Sequence, residues 1–266
     1  MKKCKKSTII LIIATFLLMA SGCIPGVGPS VRGSGTLASW DFDYRDFTKI
    51  EAGYAFNVDI SKADSYLVRI TTDDNIYDYL DISKQGDTLR IGLKPNYHYD
   101  YSNITRKATI SLPVLEKLGL SGASKANVGV GFDFTHAVDF KLSGASNLDI
   151  STIKTGNTNF ELSGASKASG NIEMANGRFD LSGASSLELQ GSANDIDIEA
   201  SGASRYKLSD LAVVDAEVNL SGASDATINA SGKLDGDLSG ASKLSYVGNP
   251  TMGSISTSGG STISQK

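Results

Sequence analysis

The sequence predicts an all-β protein wound as a parallel β-helix, and three observations carry that expectation. The tetrapeptide Ser-Gly-Ala-Ser begins at Ser121, Ser143, Ser163, Ser182, Ser201, Ser221 and Ser239, and a degenerate Ser-Gly-Gly-Ser begins at Ser258. The spacings are 22, 20, 19, 19, 20, 18 and 19 residues, a regularity that marks a repeat architecture. Five of the eight copies also follow an apolar, polar, apolar triplet, the period-2 alternation of a strand with one buried face.

These triplets line up as columns. Immediately before the copies stand Leu120, Leu142, Leu162, Leu181, Ala200, Leu220, Leu238 and Thr257. One residue earlier is a mostly polar column: Gly119, Lys141, Glu161, Asp180, Glu199, Asn219, Asp237 and Ser256. The next column upstream is again apolar, with Leu118, Phe140, Phe160, Phe179, Ile198 and Val218. Alternation resumes after each copy, as in Leu148/Ile150, Leu187/Leu189 and Tyr206/Leu208. A unit this short cannot bury its inner face alone, but stacked units can, so each repeat reads as one coil. A leucine-rich repeat would need its Leu/Asn framework, and a propeller blade roughly twice the period. In parallel stacking the columns become ladders with a rise of about 4.8 Å, and each fully buried Leu contributes about 1.5 to 3 kcal/mol before chain entropy is subtracted.

Taken from the N-terminus, residues 1–22 read as an export signal. Lys2, Lys3, Lys5 and Lys6 precede an apolar run from Ile9 to Met19, and Ala20, Ser21 and Gly22 lead to Cys23. That run is shorter than the roughly 20 residues of a membrane-spanning helix. The end of the signal resembles the lipobox of bacterial lipoproteins, with Ala20 where Leu is more usual, which makes Cys23 the expected lipid attachment site and the membrane a partner through that anchor. An incidental cysteine beside an ordinary cleavage site is the alternative. Cleavage before Cys23 leaves 244 residues with 21 basic and 29 acidic side chains, a formal charge of −8, and no second cysteine for a disulfide. Residues 23–35, rich in Gly, Pro and Ser, read as a tether. Residues 36–118 alternate without the tetrapeptide, as in Val58/Ile60, Val68/Ile70 and Leu89/Ile91, and read as an N-terminal β region capping the first coil. Within it, Asp73–Asp81 reads as a turn or short helix and Gly86-Asp87 as a hairpin turn. Residues 119–266 form the repeat solenoid.

Composition narrows the function. The chain has 25 Lys+Arg against 29 Asp+Glu, 2 His and 2 Cys among 266 residues. This excludes a basic nucleic-acid-binding face and leaves little for a zinc or thiol site, so no cofactor is expected.

The order of segments resembles a known family, the "putative auto-transporter adhesin, head GIN domain" of bacterial lipoproteins. The resemblance rests on Phe47-Thr48-Lys49-Ile50, on Ala55 to Ile60, on Leu67 to Ile70, on Leu89-Arg90-Ile91, and on Ala108 to Leu118 running into the first Leu-Ser-Gly-Ala-Ser. It implies a right-handed β-helix, an envelope location and no established catalysis, and it carries over no site residues.

Several motifs carry two readings each. The tetrapeptide supplies a glycine, small side chains and a hydroxyl, as a tight corner requires; the functional reading is a strip of hydroxyls that binds a glycan or ice. In the polar column Lys141 faces Glu161, but Glu161, Asp180 and Glu199 stack three carboxylates on successive coils, which is unfavourable. Solvent screening or a bound divalent cation would offset this. Tyr97, His98, Tyr99 and Tyr101 form an aromatic loop, read as a lid over the N-terminal core or as a stacking surface for a sugar or protein. Trp40 reads as core or cap, and neither His98 nor His136 has a legible catalytic or metal-binding partner. The chain therefore reads as a non-catalytic envelope lipoprotein for surface adhesion, glycan or protein binding, or envelope structure. The alternative is a polysaccharide lyase or hydrolase on the same β-helix. It lacks the Asn-Thr-Asp, Gly-His-Gly and Arg-Ile-Lys segments of polygalacturonases, and no coil departs from the repeat to hold a pocket.

Overall fold

A computed structural model describes residues 30–266. The expected export signal, Cys23 and most of the expected tether lie outside the described residues. Among the described residues no helix is long and apolar enough to cross a membrane.

Alternating apolar residues make short strands, and the tetrapeptides bend the chain between them, giving an all-β solenoid of about seven turns. Strands that lead into the corners stack in parallel, in the order Thr88–Leu93, Lys49–Ala52, Lys117–Leu120, Val138–Leu142, Thr158–Leu162 and Asn176–Leu181. The distal halves of Ser186–Ala200 and Arg205–Leu220 follow, then Lys233–Leu238 and Thr251–Thr257. Strands that leave the corners form a second parallel stack, from Arg106–Leu112 and Asn57–Lys62 through Lys125–Val128 to Lys243–Val247 and Thr262–Gln265.

Register makes the sequence columns into physical ladders. Phe140 pairs with Phe160 and Phe160 with Phe179; all three are buried, with ring centroids 4.8 and 5.8 Å apart. Leu120, Leu142, Leu162, Leu181, Leu220 and Leu238 are likewise buried. Tyr206 projects into this core from the second stack, and its hydroxyl donates to the carbonyl of Phe179 or Glu199, at 2.8 and 2.6 Å. That bond removes the cost of a buried phenol, which burial holds far above its usual pKa.

The corners stack as tightly as the strands. In every copy from Ser143 onward the first Ser amide donates to the carbonyl at the end of the previous coil's strand, as Ser163 to Leu142 at 2.9 Å. From the copy at Ser163 onward the third residue's amide donates to the previous Gly carbonyl, as Ala165 to Gly144 at 2.7 Å. From Ser146 to Ser242 the fourth Ser is buried, and its hydroxyl closes the corner onto the carbonyl of the first Ser, at 2.8 Å in Ser146 and 2.9 Å in Ser204. The glycine between them has φ near +75°, and a Cβ on Gly202 would sit 2.5 Å from the Gly183 carbonyl oxygen. Both conformation and stacking therefore demand glycine.

Parallel winding begins ahead of the first tetrapeptide. Lys49–Ala52, the corner Gly53 to Phe56, and Asn57–Lys62 form a complete coil beneath Lys117–Val128, and Thr88–Leu93 with Arg106–Leu112 form a layer beneath that. Beyond this layer pairing turns antiparallel: Leu80–Gln85 joins Thr88–Leu93 through a hairpin at Gly86, Leu67–Asp73 pairs with Arg106–Leu112, and Leu37–Asp41 pairs with Leu67–Asp73. The segment expected as a turn or short helix is a 3-10 helix over Asp74–Tyr79. Trp40 is half-buried on the outermost strand against Tyr77, with centroids 4.9 Å apart.

Gly202→Ala should cost more than about 2 kcal/mol in chemical denaturation, because a left-handed residue and a backbone clash are combined. Gly86→Ala, at φ +60° with nothing within 4 Å of the added carbon, should cost about 1 kcal/mol. Equal costs at the two positions would remove the stacking argument.

Candidate functional site

Because side chains alternate, the residues that do not enter the core point outward at the coil repeat. On the strands leading into the corners these are Lys141, Glu161, Asp180, Glu199, Asn219 and Asp237. The corner that follows puts its first Ser beside them. Together they line a trough of about 920 Å³ that runs from Lys141 and Ser143 to Ser258. At about 4.8 Å per coil, its seven serines, Ser143 to Ser258, span about 29 Å.

The two serines of each tetrapeptide have separate roles. From Ser146 to Ser242 the fourth is buried and satisfied within its own corner, whereas the Ser124 hydroxyl of the copy at Ser121 is buried without a partner. The first is exposed or half-buried, and at Ser143, Ser163, Ser239 and Ser258 its hydroxyl lies 3.5 Å from the nearest carbonyl. That is too long for a good hydrogen bond, so these hydroxyls are open to a ligand. The structural and the functional readings of the motif thus belong to different residues in it.

The polar column has its countercharges inside the protein. Lys141 Nζ contacts both Glu161 oxygens, at 2.7 and 2.8 Å, the pair expected from register. The stack of Glu161, Asp180 and Glu199 continues past this pair, and there Arg178 enters. Its guanidinium lies 2.8 Å from Glu199, 3.0 Å from Asp197 and 3.6 Å from Asp180. Arg178 belongs to the next outward column, with Asp139, Asn159, Asp197, Glu217 and Asp235; that second column was the available signal, and reading the first alone missed it. Among the described residues no group of three or more His, Cys, Asp or Glu side chains is placed to hold a metal ion.

Arg178 does not neutralise the stack completely. Burial raises the Asp180 carboxyl above its ordinary value, and the charge of Glu199 and a hydrogen bond to it raise it further, against the opposing pull of Arg178. Burial raises Asp197 likewise. The main trough thus holds four carboxylates against one ammonium, with no aromatic ring on its walls.

The other candidates lie elsewhere. Tyr97, Tyr99 and Tyr101 cluster with Tyr79 at the N-terminal end, with centroids 5.0 to 6.2 Å apart, and the Arg106 guanidinium lies 4.9 Å from the Tyr101 ring. Tyr97 and Tyr101 are about half exposed. His136 Nε2 lies 3.2 Å from the Leu115 carbonyl and its ring packs on Phe134, a structural setting.

Comparison with known proteins agrees with this architecture. The family described as "Putative auto-transporter adhesin, head GIN domain" matches residues 46–250. A crystal structure of a "putative adhesin" from Parabacteroides distasonis superposes with a TM-score of 0.82 at 19% identity, covering 90% of this chain and 100% of that one. A "Putative lipid binding protein" from the same species gives 0.80 at 19% identity, and a "putative adhesin" from Parabacteroides merdae gives 0.78 at 18%, with the same coverage. At such identities the likeness speaks for the fold alone. No curated protein matches the chain.

A raised carboxyl favours its protonated form, so Asp180 contributes stability at acid pH that is lost as pH rises through its folded value. Asp180→Asn should therefore raise the melting temperature at pH 7 by an amount worth less than about 1 kcal/mol for so exposed a group. The gain should vanish below the ordinary carboxylate value of 3.8, and EDTA should shift neither protein. A lower melting temperature for the variant at pH 7, or an EDTA-sensitive wild type, would contradict this assignment.

Proposed function

Because the chain belongs to the auto-transporter adhesin head GIN domain family, we propose that it is a non-catalytic adhesive head, exported and held at the cell envelope by a lipid on Cys23. The solenoid winds right-handed, the sense that parallel strand connections adopt, and its antiparallel N-terminal strands serve as the cap. The single observation that supports adhesion is the trough. It offers a straight array of open hydroxyls and carboxylates at one repeat, which suits an extended polar ligand, a glycan chain or a protein segment, better than a compact small molecule. Affinity then accumulates over many weak contacts.

The uniformity of the coils supports binding over catalysis, since a catalytic pair needs one locus unlike its neighbours. The full-length protein is expected in the membrane fraction, and Cys23→Ser in the soluble one. On an array of immobilised glycans and extracellular proteins, wild type should bind, and Ser182→Val combined with Ser201→Val should weaken binding at least tenfold with melting unchanged. Equal binding by the double variant would remove the trough from the account. Cleavage of a polysaccharide on the array would favour the alternative, a β-helix lyase or hydrolase.

A further inference from the structure

The outward column does not end at Lys141. Register carries it through Gly119 to Glu51 and then to Arg90, and the space above these residues is a hollow of about 480 Å³ lined also by Asp81, Tyr54 and Ser121. Here the corner reads Gly53-Tyr54-Ala55-Phe56 where later coils have the tetrapeptide. Tyr54 takes the position that glycine holds in all eight later corners, at φ +56°, and Ala55 follows at +57°. A bulky residue in that region is strained, and glycine would sit there freely. The corner's backbone conformation does not call for a tyrosine.

What the tyrosine provides is a ring at the trough's end. Tyr54 is 37% exposed. A Cβ on Gly92 would come within 3.2 Å of its ring, so the glycine leaves the ring room to rest on the strand Thr88–Leu93. Around it Arg90 Nε lies 3.4 Å from Glu51 Oε2, and Lys117 Nζ lies 3.3 Å from Glu51 Oε1. An aromatic face beside fixed charged hydrogen-bonding groups is the arrangement that receives the apolar face of a pyranose ring and its hydroxyls together. Counting both parts of the trough, six lining carboxylates meet Lys141 and Arg90 on the walls and Lys117 and Arg178 reaching in from beside them, an excess of negative charge that favours a cationic sugar over a neutral one.

We propose that Tyr54, with Glu51, Asp81 and Arg90, forms a terminal subsite for the end unit of an amino-sugar chain, whose following units run down the serine and carboxylate trough. This rests on the reading of the trough as a ligand site. The test is calorimetric titration of the full-length protein in detergent with a β-1,4-linked glucosamine oligosaccharide, and with its N-acetylated form as the neutral control. The glucosamine oligomer should bind more tightly than the control. Tyr54→Phe should keep that affinity, and Tyr54→Gly should lose it roughly five- to tenfold while melting at the same or a higher temperature, because strain is relieved. Wild-type affinity in Tyr54→Gly, a lower melting temperature for it, or no preference for the cationic oligomer would each overturn the proposal. If Glu199→Gln weakens binding and Tyr54→Gly does not, the trough stands and the terminal subsite alone falls.

Discussion

The contact on which the rest of the structure depends is glycine over glycine at the corners. Gly164, Gly183, Gly202, Gly222 and Gly240 each sit so close to the preceding one that a Cβ would come within 2.5 Å of its carbonyl oxygen. A corner without side chains there can place its Ala amide 2.7 to 2.8 Å from the carbonyl below. From Ser143 onward every coil is thereby held in one register with its neighbours, and a single-residue slip would exchange the inner and outer faces of the strands. Core ladder, corner ladder and outer polar ladder are three consequences of that one constraint.

Identical register has a cost on the outer face. Residues of like charge cannot drift apart when the backbone fixes them one coil above another, so Glu161, Asp180 and Glu199 are held in a row. Lys141 offsets the first of them and Arg178 spans the others, yet burial first, and the neighbouring charge of Glu199 after it, keep the Asp180 carboxyl raised. A surface evolved for stability alone would have alternated the charges. A row of acceptors and hydroxyls at one spacing is a liability in the free protein and an asset against an extended cationic or polyhydroxylated partner.

The sequence made the repeats legible because their signature is local: a glycine that must be glycine, flanked by strands whose alternation is uninterrupted. The Leu and Phe columns and the Lys141–Glu161 pair could be read without coordinates for that reason. The coil at Lys49 to Lys62 was not legible as one, because Tyr54 and Phe56 replace the residues that identify a corner, and the chain makes the detour through residues 67–112 before stacking resumes at Lys117. Arg178 escaped because its role depends on long side-chain reach between columns, which residue type alone does not fix. Trp40, read as core or cap, is half-buried on the outermost strand of the N-terminal region, against Tyr77. The expected lipid site at Cys23 lies outside the described residues.

Amide hydrogen exchange at the corners tests the stacking constraint most directly. Ala184, Ala203 and Ala223 are exposed, and an ordinary surface loop would exchange their amides freely. Bound to Gly164, Gly183 and Gly202 across the stack at 2.7 to 2.8 Å, they should exchange only on global unfolding, with protection matching that of core amides such as Phe179. Fast exchange at these three amides, with the strands still protected, would show that the corners are independent loops and that the glycine contact does not set the register.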